Sequence, residues 1–146
     1  MIEVKFRGKI KYNGNYLFSG DWAFGSLILK SKGAFIYVIE KDNFDNIIRE
    51  YEVEVIPESV EQFTGLKDKN EVEIFEKQIF KFKFLKELHN PIELTGYFTF
   101  GEDLSFEIDV LKNKEYICLK YISNGVFYDF ELTGENAFDN PELLNK

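Results

Sequence analysis

Phe80-Lys81-Phe82-Lys83-Phe84 sets a large apolar ring at every second position with a charge between. A two-residue period is that of an extended strand with one face buried and the other in water. Leu104, Phe106, Ile108 and Val110 repeat it, with Ser105, Glu107 and Asp109 between them. Tyr116 to Ile122 and Val126 to Leu132 flank Ser123-Asn124-Gly125, and Asn-Gly favours the positive angles of a tight turn, so a hairpin is expected there. Gly101-Glu102-Asp103 and Lys112-Asn113-Lys114 punctuate the neighbouring strands. The second half thus reads as a meander of short antiparallel strands, forming a small barrel or roll.

The first half carries the same signal in shorter pieces: Ile2 to Tyr12, a turn at Asn13-Gly14-Asn15, then Tyr16 to Phe18, Leu27 to Leu29 and Ala34 to Ile39. Glu40 to Asn46 is a polar loop, and Ile47 to Val55 a strand with Tyr51, Val53 and Val55 on one face. Pro57 sets a helix-compatible angle, so Glu58 to Phe63 is expected to form one or two helical turns stopped by Gly65. Further helical turns are expected at Leu85 to Leu88 and, with Asn140 before Pro141 and Glu142, through Leu143 and Leu144. The expected class is mainly β, a β-rich α+β chain with only short helical turns.

A chain of 146 residues, 45% hydrophobic and with 16 Phe and 8 Tyr, has the apolar area to fold as one domain or two small subdomains. The lone Cys118 makes no internal disulfide, and Met1-Ile2-Glu3-Val4-Lys5 lacks the features of a signal peptide, so a cytoplasmic location is expected. No apolar run approaches the ~20 residues of a membrane span. A net charge of −8 repels phosphate backbones, so nucleic acid is not an expected partner. An acidic face suits docking on a basic protein surface.

Ile56-Pro57-Glu58-Ser59-Val60-Glu61-Gln62-Phe63-Thr64-Gly65-Leu66-Lys67-Asp68-Lys69-Asn70, closing with Glu73-Ile74-Phe75-Glu76, is too particular for periodicity to explain. It resembles the signature of the YopX family of phage and prophage proteins. Glu3-Val4-Lys5-Phe6-Arg7 is similar to that family's opening strand, and Gly134 with Asn140-Pro141-Glu142-Leu143-Leu144 to its closing segment. The resemblance implies a phage or prophage origin, a mainly β structure whose C-terminal part is an SH3-like roll, and no catalytic residues to transfer. It divides the chain into residues 1–76, a β-rich part carrying the signature, and 77–146, the SH3-like β roll. Where the family usually has glycine, this chain has Glu71 and Lys77. Either Asn70 carries the left-handed angle alone, or the connection differs in shape.

Thr64 to Asn70 gathers hydroxyl, ammonium, carboxylate and amide groups between secondary elements. Thr64, Lys67, Asp68 and Asn70, with the single tryptophan Trp22, are the candidate ligand-binding residues. The competing reading is a structural turn in which Asp68 or Asn70 bonds nearby amides, with Trp22 an anchor. The spacing from Asp68 to Val72 does not make a calcium loop, since Val72 offers no side-chain oxygen and the glycine is missing. His89 and Cys118 are the only members of their types, too few for a zinc site, and no phosphate-binding glycine loop occurs. Catalytic residues, metals and cofactors are therefore not expected. The expected function is a non-enzymatic interaction or regulatory module for a host or phage protein, more sharply an inhibitor of a host enzyme or defence factor. The alternative is a small-ligand or nucleotide-binding domain. Exposed strand edges are compatible with a homo-oligomer.

Overall fold

A computed structural model describes residues 4–11, 21–85, 90–100, 106–111, 115–118 and 126–145. It is mainly β and antiparallel, with two compact units, Met1–Phe63 and Thr64–Lys146. The expected turn at Asn13-Gly14-Asn15, the piece Tyr16 to Phe18, residues 86–88 of the helical turn expected at Leu85 to Leu88, and the expected turns at 101–103 and 112–114 lie outside the described residues.

In the first unit β1 (Phe6–Lys9), β2 (Trp22–Lys30), β3 (Gly33–Lys41) and β4 (Ile47–Val55) pair in the order β4-β3-β2-β1. Ala23, Ala34, Ile36 and Val55 are buried on one face, with Phe6, Leu27, Val38, Val53 and Val60 packed against them. The sheet curls, because Ile10 bridges back to Val55. Close packing between β2 and β3 requires Gly25, where a Cβ would lie 2.0 Å from the Tyr37 carbonyl oxygen. The other face of β4 carries Glu50, Glu52 and Glu54, in keeping with the alternation of its sequence.

The expected helix at Glu58 to Phe63 is replaced by a single 3-10 turn, Pro57–Ser59. Strand β5 (Glu61–Lys67) starts where the helix would have continued. Long-range pairing overrides the local preference: Arg7 aligns with Glu61 and Phe6 with Gln62, and the Phe63 N–H donates to Lys5 at 2.7 Å. Gly65 accordingly stops no helix; it sits within β5 at φ 83°.

The second unit contains the rest of β5, its neighbour β6 (Glu73–Phe75), and β7 (Gln78–Leu85), β8 (Ile92–Phe100), β9 (Phe106–Val110), β10 (Glu115–Cys118) and β11 (Val126–Asn136). Phe80 and Phe82 are fully buried while Lys81 and Lys83 face water, as their alternation requires. With Ile74, Phe98, Ile108 and Val110 they make the core, covered by Phe127, Phe130 and Leu132. Phe80 meets Phe98 at 4.8 Å and Phe130 at 5.2 Å between ring centroids.

Among the described residues the five-stranded sheet runs β10-β9-β8-β7-β11 and does not close. The barrel expected for the C-terminal part is therefore corrected to an open sheet; of the hairpin expected between Tyr116 and Leu132, residues 119–125 lie outside the described residues. β10 pairs with β9 and β11 with β7, at opposite edges; Ser123-Asn124-Gly125 lies outside the described residues. The physical reason is β11 itself. It takes the free edge of β7 through two register shifts, with Asp129 at φ 55°, and so brings Phe127, Phe130 and Leu132 onto the Phe80 and Phe82 core. A terminal 3-10 turn, Pro141–Asn145, follows Asn140 where expected.

Candidate functional site

The candidate loop of the second unit is a clasp centred on Asp68. Asp68 is only 6% exposed, and its Oδ1 accepts the main-chain N–H groups of Asn70 at 2.8 Å and Val72 at 3.0 Å. Its Oδ2 accepts the Leu132 N–H at 3.2 Å, tying the loop to β11. Burial pushes the carboxyl pKa up, but the main-chain donors of Val72, Leu132 and Asn70 together hold it below its ordinary value. Thr64 donates its hydroxyl to the Ile74 carbonyl at 2.7 Å, while Lys67 and Asn70 are exposed.

The same clasp recurs in the first unit between β3 and β4. Asp42 Oδ1 accepts the N–H groups of Phe44 at 2.8 Å and Asn46 at 2.9 Å. In both loops the aspartate N–H donates to the carbonyl four residues on, and the N–H three residues on donates back to the aspartate carbonyl. Both place a left-handed residue fourth, Asp45 and Glu71, each at φ 66°. This is a turn followed by a one-residue bulge, a hairpin geometry that favours glycine at that position. Asp42 Oδ2 accepts from Asn46 Nδ2 at 3.3 Å, where Asp68 reaches Leu132.

The first clasp carries what sequence reasoning missed. Phe44 stands at its tip 84% exposed, with Ile47, Ile48 and Ile39 also largely in water nearby along the hairpin. The available signal was one aromatic ring inside Asp42-Asn43-Phe44-Asp45-Asn46, a stretch otherwise wholly polar.

Trp22 lies in the first unit beside charge. The Arg7 guanidinium sits 3.8 Å from the centroid of its ring, and Lys9 Nζ 5.6 Å. Arg7 in turn donates through Nε to Glu61 Oε2 at 2.7 Å, and both residues are buried. Ser59 completes the corner, accepting the Lys9 N–H at 2.7 Å and donating to the Ile56 carbonyl at 2.6 Å. Trp22 also borders an open groove of about 400 Å³ lined by Ile10, Phe24, Glu40, Tyr51 and Val53. At its rim Glu40 accepts Arg49 through two bonds, 3.0 and 2.7 Å, and the Tyr51 hydroxyl at 2.9 Å. These bonds, Arg49 first, hold the Glu40 carboxyl below its ordinary pKa.

Among the described residues no three His, Cys, Asp or Glu side chains converge as a metal requires, and no helix is long and apolar enough to cross a membrane. The family model described as YopX protein matches residues 5–145. The chain belongs to the YopX family. No curated protein and no solved structure matches it. In this YopX protein the two positions where the family's glycines are expected, Glu71 and Lys77, themselves take the left-handed angle, at φ 66° and 65°. Asn70 does not carry it. The connections keep the shape that glycine favours, with a side chain in its place.

Proposed function

We propose that this YopX-family protein is a phage- or prophage-encoded interaction or regulatory module, without enzymatic activity, that binds a host or phage protein through the β3–β4 hairpin of its first unit. The observation that carries the reading is Phe44, a fully presented ring on a loop made rigid by the Asp42 clasp. Exposing an aromatic ring gains the fold nothing, whereas a preorganised ring forms a binding anchor at low entropic cost. Ile47 and Ile48 extend the apolar contact, and Glu40, Glu50 and Glu52 border it with negative charge. That pairing of charge and apolar area suits a basic cleft on an enzyme or defence factor of the host, reached by electrostatic steering. The test is affinity capture from a bacterial host lysate with the native protein and with Phe44→Asp. A saturable, salt-sensitive partner lost in the variant supports the reading; equal capture by both proteins counts against it.

A second reading, a small-ligand or nucleotide binder, draws on the groove beside Trp22 and Tyr51, whose volume lies in the range of ligand pockets, about 300–1,000 Å³. The Thr64, Lys67, Asp68 and Asn70 loop is its other candidate. A ligand at 100 times its dissociation constant adds about 2.7 kcal/mol, visible as a thermal shift. Silence across nucleotides and metabolites removes it.

A further inference from the structure

The ladder between β2 and β3 runs from Lys30 opposite Gly33 to Ser26 opposite Tyr37. Beyond it each strand continues on its other neighbour, β2 to Trp22 along β1 and β3 to Lys41 along β4. The groove of about 400 Å³ lies where the two strands part, lined by Ala23 from one and Val38 from the other. Its floor is the edge of the core: Ile10, Val38 and Val53 pack against the buried cluster that includes Ala23. The groove therefore presents core-like apolar surface to whatever enters it.

The rim has the opposite character. Asp21 lines it from β2, and Glu40 and Tyr51 from the β3–β4 hairpin. The Tyr51 hydroxyl donates to Glu40, and Arg49 donates to both Glu40 oxygens, so the Arg49 charge is already balanced. Asp21 is exposed and makes no ion pair among the described residues, and residues 12–20 contain no Lys, Arg or His. Arg7 and Lys9 stand over the Trp22 ring instead. Between them Gly8 faces the core, where a Cβ would lie 2.8 Å from Val55 Cγ2, so alternation sets Arg7 and Lys9 on the other face of β1 from the groove floor. A phosphate or carboxylate head at this rim would meet like charge, whereas a cationic donor meets its complement.

The chemistry that fits both parts is an alkyl stem ending in a positive head, as in a basic side chain whose methylenes cover apolar surface while the charge stays at the water. Acceptors on opposite walls favour a planar guanidinium, which donates in several directions, over the point charge of an ammonium. Glu40 and Tyr51 belong to the hairpin that carries Phe44, so the groove continues the surface assigned above to a protein partner.

We infer that the groove between β2 and β3 receives an arginine side chain of the partner protein, its stem over Val38 and Val53 and its head between Asp21 and Glu40. The inference rests on the interaction reading above and gives that partner's contact a chemistry.

The test titrates the full chain with the capped tripeptide Ala-Arg-Ala, with its citrulline counterpart, which keeps the shape but not the charge, and with Ala-Glu-Ala, following amide and methyl NMR shifts. The arginine peptide is expected to bind saturably, with shifts concentrated at Ala23, Val38 and Val53. Its affinity is expected to exceed that of either control by about fivefold, the upper range for an exposed ion pair. Asp21→Asn is expected to remove most of that difference without moving the thermal midpoint, because Asp21 is exposed; Asp21→Lys abolishes binding of the arginine peptide. Absent binding, equal binding of the citrulline peptide, shifts confined to other strands, or an Asp21→Asn protein that binds as the native one does overturns the inference. Butylguanidinium bound as tightly as the peptide makes the occupant a free organic cation and overturns the protein source. The two ideas separate cleanly: peptide failure with Phe44-dependent capture intact removes the arginine inference alone, while capture that does not depend on Phe44 removes the interaction reading.

Discussion

The main-chain N–H of Phe44 donates to the Asp42 carboxylate at 2.8 Å, and this bond fixes the most exposed aromatic ring described in the chain at the tip of its hairpin. Asp42 is itself exposed, so removing it loosens the tip without opening the core. Asp42→Ala is expected to weaken partner capture while leaving the thermal midpoint nearly unchanged, with calorimetry and capture measured on the same samples. A large fall in stability with capture intact would contradict the role given to the clasp.

Asp68 closes the equivalent loop from a buried position and therefore matters to stability. Its folded pKa lies below the ordinary value, so its contribution is fully present above the unfolded pKa of about 3.9 and is lost as pH falls through the folded pKa. Asp68→Ala removes three part-buried hydrogen bonds from the main chain of Asn70, Val72 and Leu132 to a charged acceptor and is expected to cost roughly 1.5–3 kcal/mol at neutral pH. The variant should also lose part of the native protein's acid sensitivity below about pH 4, read from urea midpoints across pH.

Glu71 and Lys77 hold left-handed angles that cost a side-chain-bearing residue about 1 kcal/mol each. Glu71→Gly and Lys77→Gly are expected to stabilise the chain, Lys77→Gly by less if the greater freedom of glycine in the unfolded chain offsets the relief. Denaturant unfolding reads both. Destabilisation by each would mean that the side chains at these turns contribute more than their strain.

The Arg7 and Glu61 ion pair joins β1 to β5 under the Trp22 ring. Removing one partner leaves a buried charge, so Arg7→Met or Glu61→Leu alone is expected to cost about 3–5 kcal/mol. The double variant should cost much less than the sum, because no lone charge remains. Additive losses in the mutant cycle would show that the two side chains act independently.

Much of the fold was legible because its strands alternate. The rings at Phe80, Phe82 and Phe84 and the face shared by Tyr51, Val53 and Val55 follow from spacing alone. Elements fixed by distant partners were not legible. Glu61 is a strand residue because Arg7 lies opposite it, and β11 pairs with β7, far back in sequence, because β7 offers an edge beside the phenylalanine core. The candidate loop was readable as a turn from Asp68 and Asn70, but not the bond from Leu132 that buries Asp68. Phe44 was present in the sequence as an odd ring in a polar loop; its exposure came only from the Asp42 clasp.

The central claim is that the β3–β4 hairpin is the working surface, and amide hydrogen exchange on the protein captured with its partner tests it most directly. The expected result is slowed exchange concentrated between Asp42 and Glu54. Protection confined to the Thr64 to Val72 loop, with the hairpin exchanging as in the free protein, would contradict it.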